Sequence, residues 1–270
     1  ISKSHVMNWT HTSTAAVAAK KSGAPNTAKI RKTVINVIVH IFLAILAFIW
    51  VLPIFWVILT SFRGEKGSYV SNYIKLFTDT SILNFPKMFM NTFVIAIFTC
   101  IISTIFVLSV AYSMSRMRFK MRKPFMNIAM IIGLFPSFMS MIAVYYILRA
   151  LNLADGAMIR VALIIVFSAG SGAGFYVAKG FFDTISKSLD EAAIIDGATR
   201  WNVFTKITVP LSKPIIVYTI LTSFMGPWVD FIFGKVICRA DAQYYTVSIG
   251  LWKMLEKEYI DSWYTCFAAG

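Results

Sequence analysis

Apolar residues in this chain fall in long blocks separated by short polar segments, with neither strict alternation nor a narrow helical stripe. Five blocks reach the roughly 20 residues that a helix needs to cross a bilayer. They run from Val34 to about Thr60, Asn91 to Ser113, Phe125 to Leu148, Ile159 to about Phe182, and Pro214 to Ile237. The first is too long for a signal-peptide core and ends without a small-residue cleavage site. Pro53 is expected to kink it, and Trp50 and Trp56 suit an interface. Gly133 and Pro136 interrupt the third block, and Gly226-Pro227 interrupts the fifth. The expected fold class is therefore all-α and polytopic. Trp263 to Gly270 opens one more apolar run that stops short of a span, so a sixth span is expected after Gly270.

Composition changes this picture little. The chain of 270 residues is 58% hydrophobic and only 14% charged, which no ordinary soluble domain matches. A net charge of +14 fits either nucleic acid or an acidic membrane surface. The positions of the charges favour the membrane. Residues 1–33 carry Lys3, Lys20, Lys21, Lys29, Arg31 and Lys32 with no acid; they read as a basic, solvated anchor preceding a membrane domain over 34–270. Arg116, Arg118, Lys120, Arg122 and Lys123 form a second acid-free cluster after the second block. The positive-inside rule places both on the cytoplasmic side. Alternation then puts the loop 183–213 on that side too, and residues 63–90, 151–156 and 239–261 outside.

That loop contains the longest charge-bearing polar stretch in the second half, Ser188 to Pro210. Ser188 followed three residues later by Glu191 reads as a capping box, with Asp190 and Glu191 where the helix dipole favours negative charge. Gly197 is placed to leave the helix with a positive φ. Leu189, Ala192, Ala193 and Asp196 share one side of this short helix. The two alanines leave its backbone open to close approach by another protein. A second short helix is expected after Thr199, with Trp201, Phe204 and Ile207 on one face and Pro210 as its stop.

Glu191-Ala192-Ala193, Gly197, Ile207 and Pro210, at this spacing, resemble the EAA loop of binding-protein-dependent ABC importer permeases. Val209 and Ser186 depart mildly from the family pattern. From about Phe85 onward the chain is similar to the carbohydrate-importing, maltose-type branch. The stretches that carry this are Gly133-Leu-Phe-Pro136, Lys179-Gly-Phe-Phe182, Gly226-Pro-Trp-Val-Asp230 and Tyr245-Thr-Val-Ser-Ile-Gly-Leu251. The resemblance implies a permease subunit in the bacterial inner membrane with its N-terminus in the cytoplasm. It implies a second homologous permease, two ATPase subunits that hold ATP and Mg, an extracytoplasmic solute-binding protein and an oligosaccharide substrate of the maltodextrin type. In that family the loop docks on the ATPase as a coupling helix. This assigns coupling to Leu189, Asp190, Glu191, Ala192, Ala193, Asp196, Gly197, Trp201 and Phe204. The last outer loop reaches the binding protein, which assigns that contact to Gln243, Tyr244, Tyr245 and Thr246.

The residues themselves offer no catalysis. No paired-His metal motif, P-loop or nucleophile elbow is present, and Cys100, Cys238 and Cys266 have no metal or disulfide spacing. No cofactor is expected in this chain. The blocks hold few ionisable groups, which points to an external motor over ion coupling; a secondary carrier and a non-transport scaffold remain the alternatives. The Gly/Ser run of the fourth block, with Ser168 and Ser171, suits close helix packing or a hydrated path. Ser137 and Ser140 follow Pro136 and are further path candidates. Trp228 suits a sugar ring or an interface belt. Asp230 suits a water-filled vestibule or a pairing with Lys235.

Overall fold

The computed structural model describes residues 27–64, 68–134, 137–170, 174–239 and 241–270. Residues 1–26, Pro136 and Ser171 lie outside the described residues, as does the side chain of Ser137, so the expectations placed on them have no structural account. The chain separates into two units, Ile1–Thr60 and Ser61–Gly270. All regular elements among the described residues are helical.

In the first unit, α1 (Thr27–Ser61) runs unbroken through Pro53. Its stretch Arg31–Ser61 is long and apolar enough to cross a membrane. His40 is exposed, and its Nδ1 lies 2.6 Å from the Asn36 carbonyl one turn away.

The second unit is arranged around α3 (Phe85–Arg116), the other single helix able to cross a membrane. Asn84 caps it by accepting the Lys87 N–H, and Pro86 sits in the first turn, where its missing N–H costs nothing. Around α3 pack α6 (Met158–Gly170), α7 (Gly174–Thr184) and α10 (Lys213–Val229). Ala96, Ala111, Ala162 and Ala178 are fully buried, so small residues let these backbones approach. Two cores lie along α3. One gathers Met88 and Ile95 with Ile237, Ile249, Met254 and Trp263. The other, toward the end of α3, gathers Val107, Ala111 and Met114 with Phe175, Phe182 and Ile215.

Among the described residues, two helices are long and apolar enough to cross alone, and up to four spans arise if two bent pairs each count as one. The pair α6 and α7 bends by 43°. The pair α9 (Arg200–Leu211) and α10 bends by 80°. The block Phe125–Leu148 is divided between α4 (Arg122–Gly133) and α5 (Ser137–Ala150), at about 1.5 Å rise per residue neither long enough to cross alone. The remaining helices are α2 (Ser71–Thr78), α8 (Lys187–Ile195), α11 (Ile232–Cys238), α12 (Val247–Lys253) and α13 (Ile260–Ala269).

Candidate functional site: the loop helix and the cavity beside α10

The loop helix α8 is short and held at both ends by its own sequence. It begins earlier than the Ser188–Glu191 box implies. Ser186 is the N-cap, and its hydroxyl accepts the Ser188 N–H at 3.3 Å. The Ser188 hydroxyl is bonded to that of Ser186 at 2.7 Å, so Ser188 lies inside the first turn and does not cap. Two serines one residue apart compete for one role, and the spacing to Glu191 favoured the wrong one. The other end is as expected. Gly197 has φ +86, the Gly197 N–H reaches the Ile194 carbonyl at 3.0 Å, and the Ala198 N–H reaches Ala193 at 2.9 Å. This is a complete Schellman motif.

The helix is anchored by the end of α3. Arg116 Nε lies 3.3 Å from Asp190 Oδ2, with both side chains largely buried. One terminal nitrogen, Nη2, donates to the Phe182 and Ile185 carbonyls, both at 3.0 Å. The Phe182 carbonyl also accepts the Ile185 N–H at 3.2 Å, and Ile185 follows the end of α7, so one guanidinium fastens α3, the end of α7 and α8 together. Beside it, the Ser115 hydroxyl donates to Asp183 at 2.6 Å, and Lys179 pairs with the same carboxylate. Tyr112 packs on Phe204, ring centroids 4.7 Å apart, and its hydroxyl donates to the Arg200 carbonyl at 3.4 Å. Asp190 therefore faces inward, as an anchor. Tyr112, Ser115, Arg116 and Asp183 carried no sequence signal for this role. Arg116 was legible only as one charge in a basic cluster, because its partner lies far along the chain.

The exposed side of α8 and the start of α9 includes large apolar residues. Leu189, Ile194, Ile195 and Trp201 are exposed, Ile195 at 85%. Glu191, Ala192, Asp196 and Gly197 are exposed with them, and Ala193 and Phe204 are half-buried. Ile194 and Ile195 were missed, although two isoleucines in the last turn of a capped surface helix are a usable signal. The second loop helix starts at Thr199, whose hydroxyl accepts the Asn202 N–H at 3.2 Å. It does not stop at Pro210. It widens into a π-turn over Phe204–Thr208 and reaches Leu211. Pro210 cannot donate to the carbonyl one turn back, and the wider turn accommodates its ring. The chain breaks instead at Ser212, where the 80° bend occurs.

A cavity of about 560 Å³ lies against α10, lined in part by Thr99, Tyr218, Thr222, Ser223, Gly226 and Asp230. The Thr99 hydroxyl is buried with no hydrogen-bond partner. Of the residues expected to line a path, Asp230 is here, and Oδ1 also accepts the Gly234 N–H at 3.0 Å. Lys235 lies elsewhere, its ammonium over the Tyr245 ring. Trp228 is absent from this wall. It packs edge-on against Phe89 at 5.1 Å, and its indole N–H is buried without a partner. The Ser168 hydroxyl is buried and unpartnered, and Ser140 is exposed on α5. Thr219, Thr222, Ser223 and Gly226 recur at helical spacing along α10. That small polar stripe in an apolar helix was a readable signal for the cavity.

In the last loop, Tyr244, Tyr245 and Thr246 are turned into the fold and Gln243 is exposed. Asn91 of α3 donates to the Gln243 and Tyr245 carbonyls at 3.0 and 3.3 Å. The Val247 N–H donates to the Thr92 hydroxyl at 2.9 Å. The three buried residues thus fix this stretch, beside which Asp241, Ala242 and Gln243 are exposed.

Bent apolar helices packed around α3, two of the described helices long enough to cross a bilayer, define a multi-helical membrane protein. Residues 107–269 match the family described as binding-protein-dependent transport system inner membrane component. The chain belongs to that family, the one expected from the spacing of Glu191, Gly197 and Pro210. It is a multi-pass inner-membrane transport subunit and not an enzyme. It is 30% identical over 253 residues, 90% of this chain and 88% of the relative, to the galactooligosaccharides transport system permease protein GanQ of Bacillus subtilis (strain 168). It is 27% identical over 236 residues to the maltodextrin transport system permease protein MalD of Streptococcus pneumoniae (strain ATCC BAA-255 / R6), covering 84% and 82%. A chain of a bacterial ABC transporter involved in the import of the acidic polysaccharide alginate has the same fold, with TM-score 0.71, 22% identity and 92% of each chain covered.

Proposed function

We propose that this chain is the permease subunit of an ABC importer that moves an oligosaccharide inward across the cytoplasmic membrane, driven by separate ATPase subunits. The observation that carries this is α8: rigidly capped, fastened through Asp190 to Arg116, and presenting Leu189, Ile194 and Ile195 to solvent beside the exposed Trp201 of α9. An exposed apolar face on a tethered helix suits a docking partner, and the tether would carry the push of that partner into α3 and α7. In this reading Glu191, Ala192, Ala193, Asp196 and Gly197 belong to the docked surface, and Phe204 and Asp190 to its support. Two ATPase subunits, holding ATP and Mg, and a second similar permease would complete the complex.

The spans in this reading are α1, α3, the pair α4 and α5, the pair α6 and α7, and α10. The N-terminus and α8 lie in the cytoplasm, residues 1–33 act as a basic anchor to the membrane domain 34–270, and Gln243 lies outside, available to a solute-binding protein. Substrate passes the cavity beside α10, where Thr99, Thr222, Ser223 and Asp230 offer hydroxyl and carboxylate partners suited to a sugar. Relatives named for galactooligosaccharides and for maltodextrin both support an oligosaccharide, and we favour the maltodextrin type.

A single cysteine at Ala193 tests the central claim. In the purified complex it should cross-link to an ATPase subunit, and ATP hydrolysis should rise with substrate-loaded binding protein. Transport by the chain alone without ATP, or no cross-link from Ala193, would sink the reading.

A further inference from the structure

A cleft of about 350 Å³ opens between the end of α3 and the two loop helices. Its walls hold Arg116, Arg118, Arg122, Lys187 and Arg200 against the carboxylates of Asp190 and Glu191, a surplus of three positive charges. Arg116 is the most deeply set, with its side chain only 5% exposed. Its Nη2 serves the Phe182 and Ile185 carbonyls, but Nε and Nη1 have no hydrogen-bond partner. Buried guanidinium donors left unmade are costly, and the Asp190 carboxylate beside them meets Nε through Oδ2 at 3.3 Å, its buried Oδ1 likewise without a hydrogen-bond partner. A planar fork with a free donor, ringed by further arginines, is suited to an oxyanion with several acceptor oxygens. Arg116 is also the last residue of a helix long enough to cross a membrane. In a bilayer the cleft would lie toward the membrane face at which this helix ends, and basic pockets between helices at such a face take up anionic lipid.

We propose that this cleft seats a phosphate oxyanion, with Arg116 Nη1 and the Arg122 and Arg200 guanidinium groups as its donors. The chemistry is common to an anionic phospholipid headgroup and to free phosphate. It stands independently of the transport reading.

The purified full chain in detergent would be mixed with equal amounts of phosphatidylglycerol and phosphatidylcholine, and retained lipid counted by native mass spectrometry. A parallel arm follows thermal unfolding with and without inorganic phosphate. Phosphatidylglycerol should be retained in preference. Arg122→Gln and Arg200→Gln should each cut that preference by about threefold to tenfold. Glu191→Gln should increase it, because it removes an opposing charge. Lys206→Gln, on the same loop but outside the cleft, should leave it unchanged. If free phosphate and not the lipid protects the wild type, and Arg122→Gln abolishes that protection, the seat holds with free phosphate as its source. No preference in either arm, or equal loss in Lys206→Gln, overturns the proposal.

Discussion

Arg116 closes three bonds at once, and its loss should be felt well beyond a single surface charge. Arg116→Ala removes a donor from the Ile185 carbonyl and one of two donors from the Phe182 carbonyl, and leaves Asp190 buried without its partner. A loss of about 3 kcal/mol is expected, the low end for breaking a buried pair, since Asp190 keeps some access to water. Arg116→Lys should recover part of this, because an ammonium keeps the charge but lacks the fork. Asp190→Ala in the Arg116→Ala background should cost less than the two single losses added together, by about 1 kcal/mol or more. Thermal unfolding of the four proteins in one detergent decides the matter; strict additivity would mean the two groups do not act together. The sequence places Arg116 in a basic cluster and Asp190 in a helix first turn, and both placements are right as far as they go. The pairing was illegible because it is a tertiary contact across α3, α7 and α8, and no local periodicity encodes it.

The loop helix shows how unevenly an element can be read. Its C-terminus was fully legible, because Gly197 is a residue whose backbone freedom the turn demands, with φ +86. Gly197→Ala should destabilise this end by about 1–2 kcal/mol, the cost of a left-handed backbone for a residue with a Cβ. Gly197→Asn should cost less, and Gly197→Val more. Nothing lies within 4 Å of the Cβ position, so steric crowding cannot mask that order. Hydrogen exchange at the Gly197 and Ala198 amides would report it, and equal protection in all three variants would refute the strain argument. The N-terminus was misread by two residues because Ser186 and Ser188 offer the same chemistry. The π-turn before Pro210 and the bend at Ser212 escaped as well. Pro210 predicted an interruption but not its form, since helix widening and helix ending both satisfy a missing N–H.

Over the whole molecule, hydropathy delivered the membrane class, and the charge clusters give an orientation that can be measured. Breaks such as the one dividing α4 from α5 were marked by Gly133, but bend angles depend on neighbours packed against α3, which no stretch of sequence states. Orientation is best tested by placing cysteines at Lys120 and Gln243, both exposed. Cys100, half-buried on α3, is first replaced by serine, and the other two native thiols permit the test. Cys266 is fully buried, and burial pushes the Cys238 thiol up to about 12, with Asp241 adding to the shift and Lys235 opposing it. At pH 8 its thiolate is about one part in ten thousand, so it should resist maleimide until the chain unfolds. Raising the pH from 7 to 9 should leave it silent, because that window lies well below its titration. A cysteine at Gln243 should then label with an impermeant maleimide in intact cells, and one at Lys120 only after the membrane is opened. The reverse pattern would put α8 outside, out of reach of any cytoplasmic ATPase, and the force-transmitting role of the Arg116–Asp190 tether would fall with it.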